Sequence, residues 1–201
     1  MCDNGYDASL RRSAVVTKSF SAMIALAAVV SGTSVNAPAD AQVARSGYSL
    51  PLNLAMEAAA EAVRTCEASG YNVTATVVDS SGVVKLLAKG DHSTIHTKDS
   101  SFRKAYTVVT LGPIFKFDAT SRFVELVAKS PAGPALVSLP DILPLAGGVA
   151  VKRGDEIVAA LGVGGAPGGE KDEACAEAGV AKIRERVTSA SLGSTAKSAG
   201  N

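Results

Sequence analysis

The chain has 201 residues and a formal net charge of +1 at pH 7, with 47% apolar residues, 4% aromatic residues and no Trp. That length suits one ordinary domain with a hydrophobic core. The balanced charge excludes the basic footprint of nucleic-acid binding, and no charge run is long enough for a solvated tail.

Residues 1–41 carry the features of an export signal. Arg11, Arg12 and Lys18 form a positive region, residues 20–30 (FSAMIALAAVV) an uncharged apolar stretch, and Ala39-Asp40-Ala41 a small-x-small cleavage site before Gln42. The apolar stretch is shorter than the ~20 residues a spanning helix needs. The paired arginines leave the export route open, because the SAVV after them fits a twin-arginine pattern poorly. The expectation is an exported protein, periplasmic or extracellular, with a linker at 42–51, one domain at 52–187 and a small, polar, disordered tail at 188–201. Export would leave Cys66 and Cys175 in an oxidising compartment, where they can pair; small buried hydrophobes are the alternative.

Leu52, Met56, Ala59, Val63 and Cys66 recur at helical spacing, with Glu57, Glu61 and Arg64 between them. This predicts an amphipathic helix stopped by Ser69-Gly70. Two β-rich runs, 73–78 and 83–88, flank Asp79-Ser80-Ser81-Gly82 and predict a hairpin. A second helix is expected from Asp99, its N-cap, to Val109, with Phe102, Ala105, Tyr106 and Val109 on one side and Gly112-Pro113 as its breaker. A short helix over 121–129, a Pro/Gly-rich loop over 130–144 and a hairpin turning at Arg153-Gly154-Asp155 follow. A last helix is expected over 171–187, with Ala176, Val180, Ile183 and Val187 as its buried stripe. Tight turns pair neighbouring strands antiparallel, and no strand-helix-strand alternation exists. The expected class is therefore α+β: a two-layer sandwich whose antiparallel sheet comes from two hairpins, with helices over one face.

The stretch LGVGGAPGGEKDEACAEAG (161–179) passes from strand to helix through five glycines and a proline. A GxGxxG register from Gly162 puts Pro167 where the third glycine belongs, its strand lies in a hairpin, and no GK[ST] is present, so nucleotide binding is excluded. Glycines permit close backbone approach, and a helix N-terminus favours an anion. Asp172 and Glu173 in the first turn can satisfy the same dipole themselves. A carboxylate-binding loop at Gly164, Gly165 and Asp172 and a plain turn with an acidic cap both fit.

Three segments point further: VVDSSGVV (77–84), HTKDSSFRKAYT (96–107) and LPLAGGVAVKRGDEIVAALGVGGAPGGEKDEACAEAG (143–179). On these the chain resembles, in order over about 52–183, the GlcG/HbpS-like haem-binding and haem-degrading family, which is related to the C-terminal domain of some corrinoid adenosyltransferases. The resemblance implies a profilin-like or PAS-like α+β domain, a homo-oligomer and a porphyrin-type ligand.

The two histidines, His92 and His96, share the segment DHSTIH, which reads as a loop. Imidazole is a natural axial ligand for haem iron. His96 lies within a matched segment and is the candidate iron ligand, with Asp91, Arg103 and Lys104 nearby. Arg103 suits bidentate pairing with a ligand carboxylate. The family's Lys-Ala pair aligns with Lys104-Ala105 and favours Lys104 as the inward cation, while Asp99 and Arg103 also fit a surface i,i+4 pair. Met56 and Tyr106 are further conceivable ligands, at positions that equally suit packing. No Ser-His-Asp order, zinc-ligand cluster or CxxC supports a hydrolase or zinc protein.

The leading function is an exported haem (tetrapyrrole)-binding protein that sequesters, passes on or slowly degrades haem. A second is a metal-free small-molecule sensing or accessory domain acting through its oligomer on a membrane partner. A third is a small-carboxylate enzyme with His96 as base and Lys104 or Arg103 as anion clamp.

Overall fold

The computed structural model describes residues 45–189. The expected signal segment, and all but the first two residues of the expected tail, lie outside them. The elements in chain order are α1 (Leu52–Ala68), β1 (Thr74–Asp79), β2 (Val84–Lys89), α2 (Thr97–Phe115), α3 (Thr120–Lys129), α4 (Gly133–Val137), β3 (Gly148–Arg153), β4 (Glu156–Gly164) and α5 (Gly169–Ser189). The four strands form one sheet in the order β2-β1-β4-β3, every neighbouring pair antiparallel. The two hairpins thus meet through β1 and β4 at the centre. In the first turn, Asp79 Oδ1 accepts the Ser81 N–H at 2.8 Å and the Val83 N–H at 3.1 Å. Gly82 there has φ +82°, which glycine adopts without strain.

The α+β class, both hairpins and the antiparallel pairing are as expected, but helices cover both faces of the sheet rather than one. Along β1, Ala75 and Val77 point into a core with α1 and α5, while Val78 points into a second core with α2. Successive side chains of a strand face opposite sides, so a strand covered on both sides loses its polar alternation. β4 shows this as the run IVAALGVG, buried throughout.

Helix α1 departs from its expected stripe. Leu52 and Met56 are 54% and 53% exposed, and the buried face is Leu54, Ala55, Ala58, Ala59, Ala62 and Cys66. The reason lies in α5, where a Cβ at Gly179 would fall on the Ala58 carbonyl and 2.7 Å from Leu161 Cδ2. Small residues let the two helices approach, and the alanine face fits that gap better than Leu and Met. Cys66 and Cys175, left open by the sequence, form a disulfide that ties α1 to α5 across 109 residues.

Helix α2 starts two residues before the expected Asp99 cap and continues through Gly112-Pro113 to Phe115. Pro113 lacks the N–H that would donate to the Val109 carbonyl, but it falls in the last turn, so only two helical residues lie beyond it. The expected stripe of α5, Ala176, Val180, Ile183 and Val187, is buried as read.

Gly162 explains part of the glycine-rich stretch. A Cβ there would fall on the Ser101 carbonyl and 2.7 Å from the Ala105 nitrogen, both backbone of α2. Gly162→Ala should push α2 off β4 and lower stability by about 1–3 kcal/mol in urea unfolding. An unchanged midpoint would show that α2 does not rest on the strand this closely.

Candidate functional site

The end of the sheet where β1 begins and β4 ends holds most of the expected site. Thr74 of β1 sits opposite Gly164 of β4 and Lys89 of β2. Its Oγ1 is hydrogen-bonded with Thr97 Oγ1 at 2.8 Å and Ser93 Oγ at 3.2 Å, and one step along, Thr76 Oγ1 meets Ser101 Oγ at 2.7 Å. These buried hydroxyls seat the first turns of α2 on the sheet. Polar groups buried between helix and strand need such partners, and here they supply one another.

His96 therefore stands at the N-cap of α2 rather than in a free loop. It is exposed, and its Nδ1 lies 3.2 Å from Thr94 Oγ1. Thr94 is itself held in the turn, because its carbonyl accepts the Thr97 hydroxyl at 2.6 Å. Beside it Ile95 is 85% exposed, the most solvent-facing large apolar side chain among the described residues. Asp91 and His92 are also exposed, and His92 adopts a left-handed backbone with φ +60°.

The glycines at the end of β4 make room for neighbouring chain. A Cβ at Gly164 would fall on Ser100 Oγ of α2. At Gly165, with φ +137°, it would lie 2.5 Å from the Asn72 carbonyl. Gly165 remains exposed and borders the turn into α5.

Lys104 and Asp172 form a buried ion pair beneath this loop, with Nζ to Oδ2 at 2.6 Å and both side chains 4% exposed. Lys104 Nζ also donates to the Val163 carbonyl at 2.9 Å, and Asp172 Oδ1 accepts the Ala166 N–H at 2.9 Å. Burial pushes the Asp172 carboxyl above its ordinary range, and the Lys104 ammonium holds part of that rise back. The pair thus joins α2, the last residues of β4, the glycine loop and α5. The next residue, Glu173, acts as a bracket that the sequence reading treated only as a dipole partner. Its Oε2 accepts the Ser121 N–H at 3.0 Å and the Gly147 N–H at 3.1 Å, tying α5 to α3 and β3. Two adjacent acids in the first turn of a helix with a buried stripe are the signal that could have found it.

Arg103 points elsewhere, donating to the Ile142 carbonyl at 2.8 Å in the segment before β3. Tyr106 packs with Phe102 at a ring-centroid distance of 5.5 Å and lies under Gly82, at the hairpin-turn end of the sheet. Met56 stands exposed on α1. Two surface cavities, of about 530 Å³ and about 970 Å³, open elsewhere, and none of the expected site residues lines either.

The family model described as "Haem degrading protein HbpS-like" matches residues 50–181. Among solved structures, HbpS is 35% identical, covering 69% of this chain and 92% of its own with a TM-score of 0.62. A double mutant of Streptomyces reticuli HbpS is 36% identical, covering 69% and 93% with a TM-score of 0.61. The PduOC:heme complex shares the fold at 20% identity, covering 68% and 96% with a TM-score of 0.60. In a comparison with curated proteins nothing matches. The matched segment begins just ahead of α1 and ends within α5, so it contains the whole sheet and the His96, glycine-loop and Lys104–Asp172 positions: the chain belongs to the HbpS-like family.

Proposed function

We propose that this protein is an exported haem-binding protein that sequesters haem or degrades it slowly, with His96 as the iron ligand. The observation that carries this is the setting of His96. Its ring is exposed at a rigid helix start, Thr94 occupies Nδ1, and Nε2 is left for a metal. A histidine that ligates iron characteristically has its other nitrogen held by a hydrogen bond; Thr94 orients the ring, and with Nδ1–H donating to its hydroxyl, Nε2 keeps the lone pair a metal takes. Exposed Ile95 offers an apolar neighbour for a macrocycle.

Gly164 is buried against Ser100 and serves the packing of α2, while Asp91 and Gly165, both exposed, border the same end of the sheet and complete the proposed binding surface. Lys104 and Asp172 support it from beneath by holding the loop through Ala166. Bound haem would supply an iron able to activate peroxide or dioxygen, while the chain contributes binding, orientation and access. Family membership supports haem as the ligand, and the same fold carries heme in the PduOC complex. The Cys66–Cys175 disulfide supports an oxidising compartment, in agreement with the signal-like features of residues 1–41. A homo-oligomer belongs to the same proposal; exposed Leu52 and Met56 on α1 are apolar surface that a second copy can cover.

The test is a visible-absorption titration of hemin into the purified protein and two variants. The parent should give a saturable Soret shift, His96→Ala should abolish it, and Thr94→Val should weaken binding about tenfold. No saturable shift in the parent would defeat the haem reading. A shift that survives His96→Ala would remove His96 as the ligand.

A further inference from the structure

The opposite end of the sheet holds a cavity of about 530 Å³, within the range of pockets that take small organic ligands. Val109 and Pro113 of α2 and Ile157 of β4 give it apolar walls. Pro113 has no N–H, so the Val109 carbonyl lacks the helical donor it would otherwise have from four residues on. Six charged side chains line the same space, and three are already engaged. Lys152 Nζ pairs with Asp118 Oδ2 at 2.9 Å, and Glu156 Oε1 accepts the Ser46 N–H at 2.8 Å. The side chains of Arg45, Lys116 and Asp155 have no hydrogen bond or ion pair among the described residues.

Lys116 is placed unusually. It ends α2 in the left-handed region at φ +58°, where glycine or asparagine is the common occupant. A cation there also suits the helix dipole, so Lys116 alone would assign nothing. Joined to an apolar-walled cavity with one further unpaired cation and one unpaired carboxylate, it makes a surface of mixed charge facing one space.

We infer that this cavity is a binding site for a small zwitterion with an aliphatic side chain, an α-amino acid in chemical class. Arg45 and Lys116 take its carboxylate, and Asp155 takes its ammonium, with the Val109 carbonyl as a second acceptor. The side chain lies against Val109, Pro113 and Ile157. The site shares no residue with the His96 end.

Calorimetric titration of the full-length, haem-free protein with L-leucine, hexanoate and hexylamine tests the inference, independently of the haem proposal. L-Leucine should bind saturably below about 10 mM and more tightly than either singly charged analogue. Lys116→Gln and Asp155→Asn should each weaken it about tenfold; Asp155→Asn should leave the melting temperature of the unliganded protein within about 1 °C, and Lys116→Gln, which also removes a charge from the helix end, should lower it by no more than about 4 °C. Absence of saturable leucine binding would overturn the site. Equal binding of hexanoate or hexylamine, or full affinity in Asp155→Asn, would overturn the zwitterion assignment.

Discussion

Replacing Lys104 with methionine is expected to lower stability by about 3–5 kcal/mol, because it leaves the Asp172 carboxylate buried without its partner. Methionine keeps most of the side-chain volume, so the loss reports charge more than packing. Adding Asp172→Asn should recover more than half of it, since the asparagine oxygen can still accept the Ala166 N–H. The pH dependence separates this from a packing defect. In the parent, burial already raises the Asp172 carboxyl above its ordinary value and Lys104 restrains the rise. Without Lys104 the carboxyl rises further, so over a window above the ordinary carboxylate value the folded variant binds a proton that the unfolded chain does not. Its stability falls as pH climbs through that window and returns on acidification. Urea unfolding at acid and neutral pH should therefore show a smaller deficit at acid pH. A deficit independent of pH would mean that the carboxylate is not the cause.

Loss of the Cys66–Cys175 disulfide is the second large effect. It closes a loop of about a hundred residues, and removal of a bridge of that span should cost about 3–5 kcal/mol by releasing the unfolded chain. The double variant Cys66→Ser, Cys175→Ser should match the parent measured in strong reductant, and both should unfold at lower urea than the oxidised parent. If reductant leaves the parent's midpoint unmoved, the two sulfurs are not bonded in solution. Cys175 lies one turn after Asp172 and Glu173, so limited proteolysis of the variant should cut first near the glycine loop.

Some of this was present in the chain itself. The hairpin turns were legible because Asp79 to Gly82 and Gly154-Asp155 carry local turn chemistry that needs no distant partner. The stripe of α5 was legible because large apolar residues recur at one helical spacing. The failed GxGxxG register was equally local, since it rests on Pro167 standing where the third glycine belongs. His96 was singled out from a matched segment, yet its position at a helix cap was not.

Other features required the packed chain. The buried face of α1 is made of alanines, and alanine sends no strong periodic signal; Gly179 on α5 makes that face the closest-fitting one. Helices on both sides of the sheet follow from which side of β1 and β4 each helix reaches, a matter of long-range pairing. Lys104 and Asp172 stand 68 residues apart, and only the fold brings their charges together where water is excluded. The sequence by itself thus determined most of the elements, the turn chemistry and the family, because these rest on neighbours within a few residues, but not the short helix α4 within the expected loop over 130–144. The tertiary structure decided which side chains are spent on the fold and which are left for a ligand, because burial and partnership are properties of surfaces that meet only after folding.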